Sequence, residues 1–255
     1  MRGRTLFIAG LLTAAFAGQA AAQTTVVGSP HDLSATTTGD NAEICVYCHT
    51  PHGAKNEQGP LWNKPLNPQT YTAYDSTTID GSIIGTTTDL TVASVSIACL
   101  TCHDGTQAMD SVINAPGTGT GGMVSSGNTM SSVANTFANI GIDLSNDHPI
   151  AIQYGGFEVA GVQIDPDFEN LAGKLETAEI NGTDVWWIET GVTPDVRNKT
   201  DLILYTRDYL GSDQPFVECA TCHDPHAGDV SLTAEVNFLR ISNVGSALCL
   251  ACHVK

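Results

Sequence analysis

All eight cysteines and four of the eight histidines of this 255-residue chain fall into four copies of one pattern: Cys45-Val-Tyr-Cys48-His49, Cys99-Leu-Thr-Cys102-His103, Cys219-Ala-Thr-Cys222-His223 and Cys249-Leu-Ala-Cys252-His253. Two thiols three residues apart can reach the two vinyl groups of one porphyrin, and the next residue's imidazole then lies under the iron. The pattern is that of covalent c-type haem attachment. The chain's own residue frequencies give roughly 0.01 chance occurrences of it, and no cysteine is left over. Zinc and disulfides are the competing uses of C-x-x-C pairs. Neither needs histidine directly after the second cysteine. The expected cofactors are four covalently bound haem c groups, tethered by the eight cysteines, with His49, His103, His223 and His253 as proximal ligands.

Four histidines remain: His31, His52, His148 and His226. Four irons with imidazole on both faces need four distal ligands, so the tally closes. His52 and His226 follow their motifs identically, in His49-Thr-Pro-His52 and His223-Asp-Pro-His226. A residue three positions after a proximal ligand stays on that side of its own porphyrin, so each should serve a different haem and bring two haems close. His148, in Asn-Asp-His148-Pro149, suits a distal ligand arriving from a separate loop, and His31 belongs to an arm ahead of every haem anchor. Methionine is the rival ligand and would raise the potential relative to bis-histidine. Met109, Met123 and Met130 are available, but the histidines leave no vacancy.

The elements that must position these groups read as short helices at the motifs and a small β-hairpin region, in a mostly irregular multihaem cytochrome fold whose core is built around the haems. Asp40-Asn-Ala-Glu43 resembles a capping box before the first motif. A Thr- and Ser-rich stretch from Tyr71 to Ser96 reads as turns and short strands, and residues 115–135 as loop. A β-rich insertion occupies about 150–210. There Ile150–Tyr154 and Phe157–Ile164 flank Gly155-Gly156, while Ala178–Ile180 and Val185–Ile188 flank Asn181-Gly182, two hairpin signals. Of the tandem Trp186-Trp187, one ring should pack inside and one at a surface or subunit contact.

Arg2 and Arg4, the apolar run from Leu6 to Gly18 and Ala20-Ala21-Ala22 read as a signal peptide over 1–22, leaving 23–255 as one tetrahaem domain. The apolar run is shorter than the ~20 residues of a membrane span. The expectation is export, to the cell surface, the extracellular space or the periplasm, with no membrane span. The formal charge of −17, with 27 acidic against 10 basic side chains, disfavours nucleic acid and anionic membrane as partners. With only 16 Phe, Tyr and Trp residues in all (7, 6 and 3), the protein's own core should be thin and the apo-chain largely unfolded.

The two Cys-His-x-Pro-His motifs, the Asn-Asp-His-Pro segment and the ending Phe238-Leu-Arg…Ser246-Ala-Leu-Cys-Leu-Ala-Cys-His253 resemble multihaem c-type cytochromes. More narrowly, the ligand order resembles the tetrahaem outer-surface cytochromes that polymerise into extracellular filaments. The resemblance implies a continuous line of haems, a homopolymer, and His31 as the ligand completing a haem in the next subunit. The function it implies is non-enzymatic electron transfer to other redox proteins or extracellular acceptors. A monomeric periplasmic or surface shuttle with His31 folded in cis is the first alternative. A multihaem reductase is the second, and it would need an iron with an open sixth position, which the tally does not provide.

Overall fold

The computed structural model describes residues 26–36, 43–55, 59–66, 69–74, 95–115, 127–132, 137–191, 196–227 and 238–254. The expected signal peptide, Met123 and most of the Tyr71–Ser96 stretch lie outside them.

Each thiol pair sits on a short helical segment. The first is a 3-10 turn, Ile44–Tyr47; the others are α2 (Val95–His103), α3 (Cys219–Cys222) and α4 (Ala247–Cys252), with α1 (Leu33–Thr36) ahead of them all. One helical turn brings residues i and i+3 to the same face, which is what two sulfurs on one ligand need. In three motifs the histidine amide closes the turn onto the first cysteine's carbonyl: His49 to Cys45 at 2.8 Å, His223 to Cys219 at 3.1 Å and His253 to Cys249 at 2.9 Å. His223 and His253 themselves have extended backbones, so the chain leaves the helix at the imidazole. Glu43 makes no side-chain cap at the first motif. A cap of the expected kind occurs at the third, where the Glu218 amide donates to Thr221 Oγ1 at 3.0 Å.

The β region is a five-stranded antiparallel sheet in the order β1-β7-β6-β5-β4, with a separate β2-β3 hairpin. Its strands are β1 (Ile152–Gln153), β2 (Glu158–Val159), β3 (Val162–Gln163), β4 (Leu175–Ile180), β5 (Thr183–Ile188), β6 (Leu202–Tyr209) and β7 (Ser212–Val217). The Asn181-Gly182 hairpin is present, with Ile180 paired to Thr183 and φ of 54° and 80° at the two turn residues. Positive φ at both positions gives the twist that two antiparallel strands require.

The Gly155-Gly156 hairpin is not formed. Ile152 and Gln153 pair instead with Val217 and Phe216, and the tight turn falls at Ala160-Gly161. The two glycines serve close approach: a Cβ on Gly156 would lie 1.8 Å from the Glu169 carbonyl oxygen, and one on Gly155 2.7 Å from the Phe168 ring. The sheet also runs beyond 210 to Val217, one residue short of Glu218 and the third motif. Pro215 disguises this last strand in the sequence, although it pairs with Thr206.

The sheet has a protein core of its own. Tyr154, Leu175, Trp186, Ile188, Leu202, Leu204 and Val217 pack with Ala251 of α4, and Leu248 and Cys252 join them, so the fourth motif is the lid on one sheet face. A smaller cluster of Tyr71, Ile97, Leu100 and Leu144 anchors α2. Both tandem tryptophans are buried, each 5% exposed, rather than one inside and one at the surface. Adjacent strand residues point to opposite faces, so the sheet is covered on both sides there. Among the described residues no helix is long and apolar enough to cross a membrane.

Candidate functional site

Among the described residues, five imidazoles have their Nδ1 tied to an oxygen of the protein. His49 Nδ1–H donates to Pro60 O at 2.7 Å, His103 to Ala138 O at 2.7 Å, His148 to Pro149 O at 3.0 Å and His31 to Pro225 O at 3.2 Å. His226 Nδ1 lies 3.2 Å from Asp224 Oδ1. A ring whose Nδ1 carries and donates its proton keeps the Nε2 lone pair for a metal, and such partners fix the orientation of metal-bound histidine.

Four of these rings meet in pairs. His49 and His226 have centroids 6.1 Å apart with planes at 19°, and His31 and His103 have centroids 6.1 Å apart with planes at 72°. Two imidazoles on opposite sides of one metal, each nitrogen about 2 Å from it and each ring centre about 1 Å beyond, have centroids about 6 Å apart. Ordinary aromatic pairs span the same range. What distinguishes these two pairs is that all four rings have Nδ1 already engaged. Each pair also joins one motif histidine to one of the four others, and His226 meets the imidazole of a different motif, as its position three residues past His223 requires.

His31 therefore folds back onto its own chain. Its ring stacks on Phe238 at 4.1 Å, and burial pushes its pKa down against the opposing pull of the Pro225 carbonyl, with His103, His226 and His223 adding to the lowering. Asp224 does the reverse for His226, holding it above the ordinary histidine value against some burial. Burial, then nearby His103, lowers His223. The His253 ring packs on Phe168 at 4.3 Å. His52 and His148 are exposed, and among the described residues neither has a ring contact with another imidazole. The His52 carbonyl is held by Thr50 Oγ1 at 3.1 Å and Asn114 Nδ2 at 2.6 Å.

The thiol pairs run in chain order. Burial is the first cause raising Cys48 to about 11, and neighbouring Cys102 is the second, so the first and second motifs are close. The Cys99 and Cys219 sulfurs are neighbours, and the Cys219 amide donates to Ser96 of α2 at 3.0 Å, joining the second and third. Burial raises Cys252 to about 12, with Cys222 next in order, which joins the third and fourth. At the centre, the Ser96 hydroxyl of α2 bonds the Glu218 carboxylate and accepts the Cys219 amide at 3.0 Å, while Arg207 of β6 closes an ion pair on Glu218. Glu218 is 1% exposed.

No disulfide joins any of the eight cysteines. Among the described residues no three His, Cys, Asp or Glu side chains converge as a bare-ion site; the imidazoles meet two at a time. Of the rival methionines, Met109 is buried and Met130 opens a 3-10 turn, Met130–Ser132. The sequence reading missed the Nδ1 partners. Four of them are backbone carbonyls at Pro60, Ala138, Pro149 and Pro225, which no residue type announces; Asp224, inside the Cys-His-Asp-Pro-His run, was legible as a carboxylate two residues from a histidine.

No protein-family model matches the chain, and no curated protein sequence matches it.

Proposed function

We propose that this chain is a tetrahaem c-type cytochrome that carries electrons along a line of bis-histidine haems, as the subunit of an extracellular filament. The observation that carries the reading is the two imidazole pairs at 6.1 Å, each formed by a motif histidine and a non-motif histidine. Four C-x-x-C-H motifs whose thiols neighbour one another in chain order support a line rather than scattered centres. When bound, haem supplies a one-electron couple, and the protein supplies orientation, ligands and insulation.

Each residue's task follows from its place. The eight cysteines tether; His49, His103, His223 and His253 hold from one side; His226 would complete the first centre and His31 the second. The Nδ1 acceptors Pro60, Ala138, Pro225 and Asp224 keep the rings from turning. His52 and His148 are left for the centres of His223 and His253. Both are exposed, so either could instead reach a neighbouring copy, and the bridging role the filament resemblance gives to His31 passes to them.

The fold-back of His31 onto His103 favours one second reading, a monomeric periplasmic or surface shuttle with the same four centres. Intact mass and electron microscopy of the secreted protein test both: four covalent haems with filaments support the first reading, four haems on monomers the second, and fewer than four sink the haem assignment. An enzymatic reductase has less support, because two of the centres already bring a second imidazole to the motif histidine.

A further inference from the structure

Lys64 is completely buried, the one cation among the described buried residues. Its Nζ donates to two backbone carbonyls, Met109 O at 2.7 Å and Ser111 O at 3.2 Å. No carboxylate among the described residues lies within ion-pair distance of it. The preceding residue fixes where this charge sits. The Asn63 amide donates to Cys48 O at 2.8 Å, its side chain donates to Val46 O at 2.8 Å, and its Oδ1 accepts the Asn114 amide at 2.8 Å. The ammonium is thus built into the wall of the first motif, on the residue next to the Asn63 that holds the Cys48 and Val46 carbonyls.

Burying an ammonium without a counter-ion costs stability, because its hydration is lost and two carbonyl dipoles replace only part of it. A structural staple between the segments at 64 and 109–111 could be neutral. A neutral polar side chain would bond a carbonyl without the desolvation of a full charge. What the charge adds is a field, scarcely screened in the interior, at a group whose charge falls by one on reduction.

On the haem reading above, we infer that Lys64 is a positioning charge that raises the reduction potential of the haem tethered by Cys45 and Cys48 relative to the other three. A fixed positive charge favours the reduced, less positive state of that centre.

Spectroelectrochemical titration of the intact secreted protein, with Lys64→Met and Lys64→Arg variants, tests this. In K64M one couple of four should move so that its reduced-to-oxidised ratio at fixed potential falls about tenfold, which is about 59 mV for one electron. The other three should stay. The couple that moves should be the one that His226→Met raises, and K64R, which keeps the charge, should stay with the parent. If K64M does not retain haem, K64Q, which keeps a donor and removes the charge, carries the same expectation. Four covalent haems with unmoved couples, or K64R falling as far as K64M, overturns the role of Lys64 alone. A parent protein without covalent haem overturns the reading on which it rests.

Discussion

His226 sits 6.1 Å from His49, ring centroid to centroid, with the two planes 19° apart. One ring closes the first thiol pair and the other follows the third by four residues, so this pair brings the first and third C-x-x-C-H motifs to one point. His49 is held by Pro60 O and His226 by Asp224.

His226→Met should therefore raise one of the four couples and leave the haem count at four, because methionine is the weaker donor to the oxidised iron. A redox titration beside an intact-mass measurement checks it. Four unchanged couples would remove His226 from the ligand set.

His31→Ala should open one sixth position within each chain. Carbon monoxide would then bind one haem of the reduced variant and none of the parent, and the assembly state would not change, since His31 lies against its own His103 at 6.1 Å. Loss of filaments in H31A would return the bridging role to this residue.

Arg207→Met should destabilise the fold by about 3–5 kcal/mol, because it strands the buried Glu218 carboxylate without its cation. The double variant Arg207→Met, Glu218→Gln should recover much of the loss. Denaturant unfolding of the holo-protein measures both. Equal stability of the single and double variants would show that the Glu218 carboxylate does not depend on the guanidinium.

Gly156→Ala should cost about 1–3 kcal/mol, since the added methyl collides with the Glu169 carbonyl and the 165–169 turn must move. That turn carries Phe168, which packs on His253. On the proposed function, the spectrum of the centre held by His253 should change along with the melting temperature, whereas Gly182→Ala, with no heavy atom within 4 Å of the added methyl, should lower only the melting temperature.

The chemistry of this chain is written in its local sequence. Spacing of three between cysteines, histidine next, and a single helical turn to present them are short-range facts, and so is the Asn181-Gly182 turn, whose positive φ values those two residues tolerate. The tally of eight imidazoles is likewise a count that needs no coordinates. Which imidazole meets which is not local. His226 reaches His49, and His31 reaches His103, because strands distant in sequence, β1 at Ile152 and β7 at Val217, pack into one sheet whose last strand, Ser212–Val217, delivers the third motif beside α2. Pro215 hid that strand, and the pairing of Ile152 with Val217 replaced the nearer partner that Gly155-Gly156 suggested. The placement of a buried charge at Lys64 is of the same kind: any lysine reads as surface in a sequence, and only the packing of Asn63 against Cys48 removes this one from water. Covalent spacing sets what the groups can bind, and long-range packing sets the distances and fields among them.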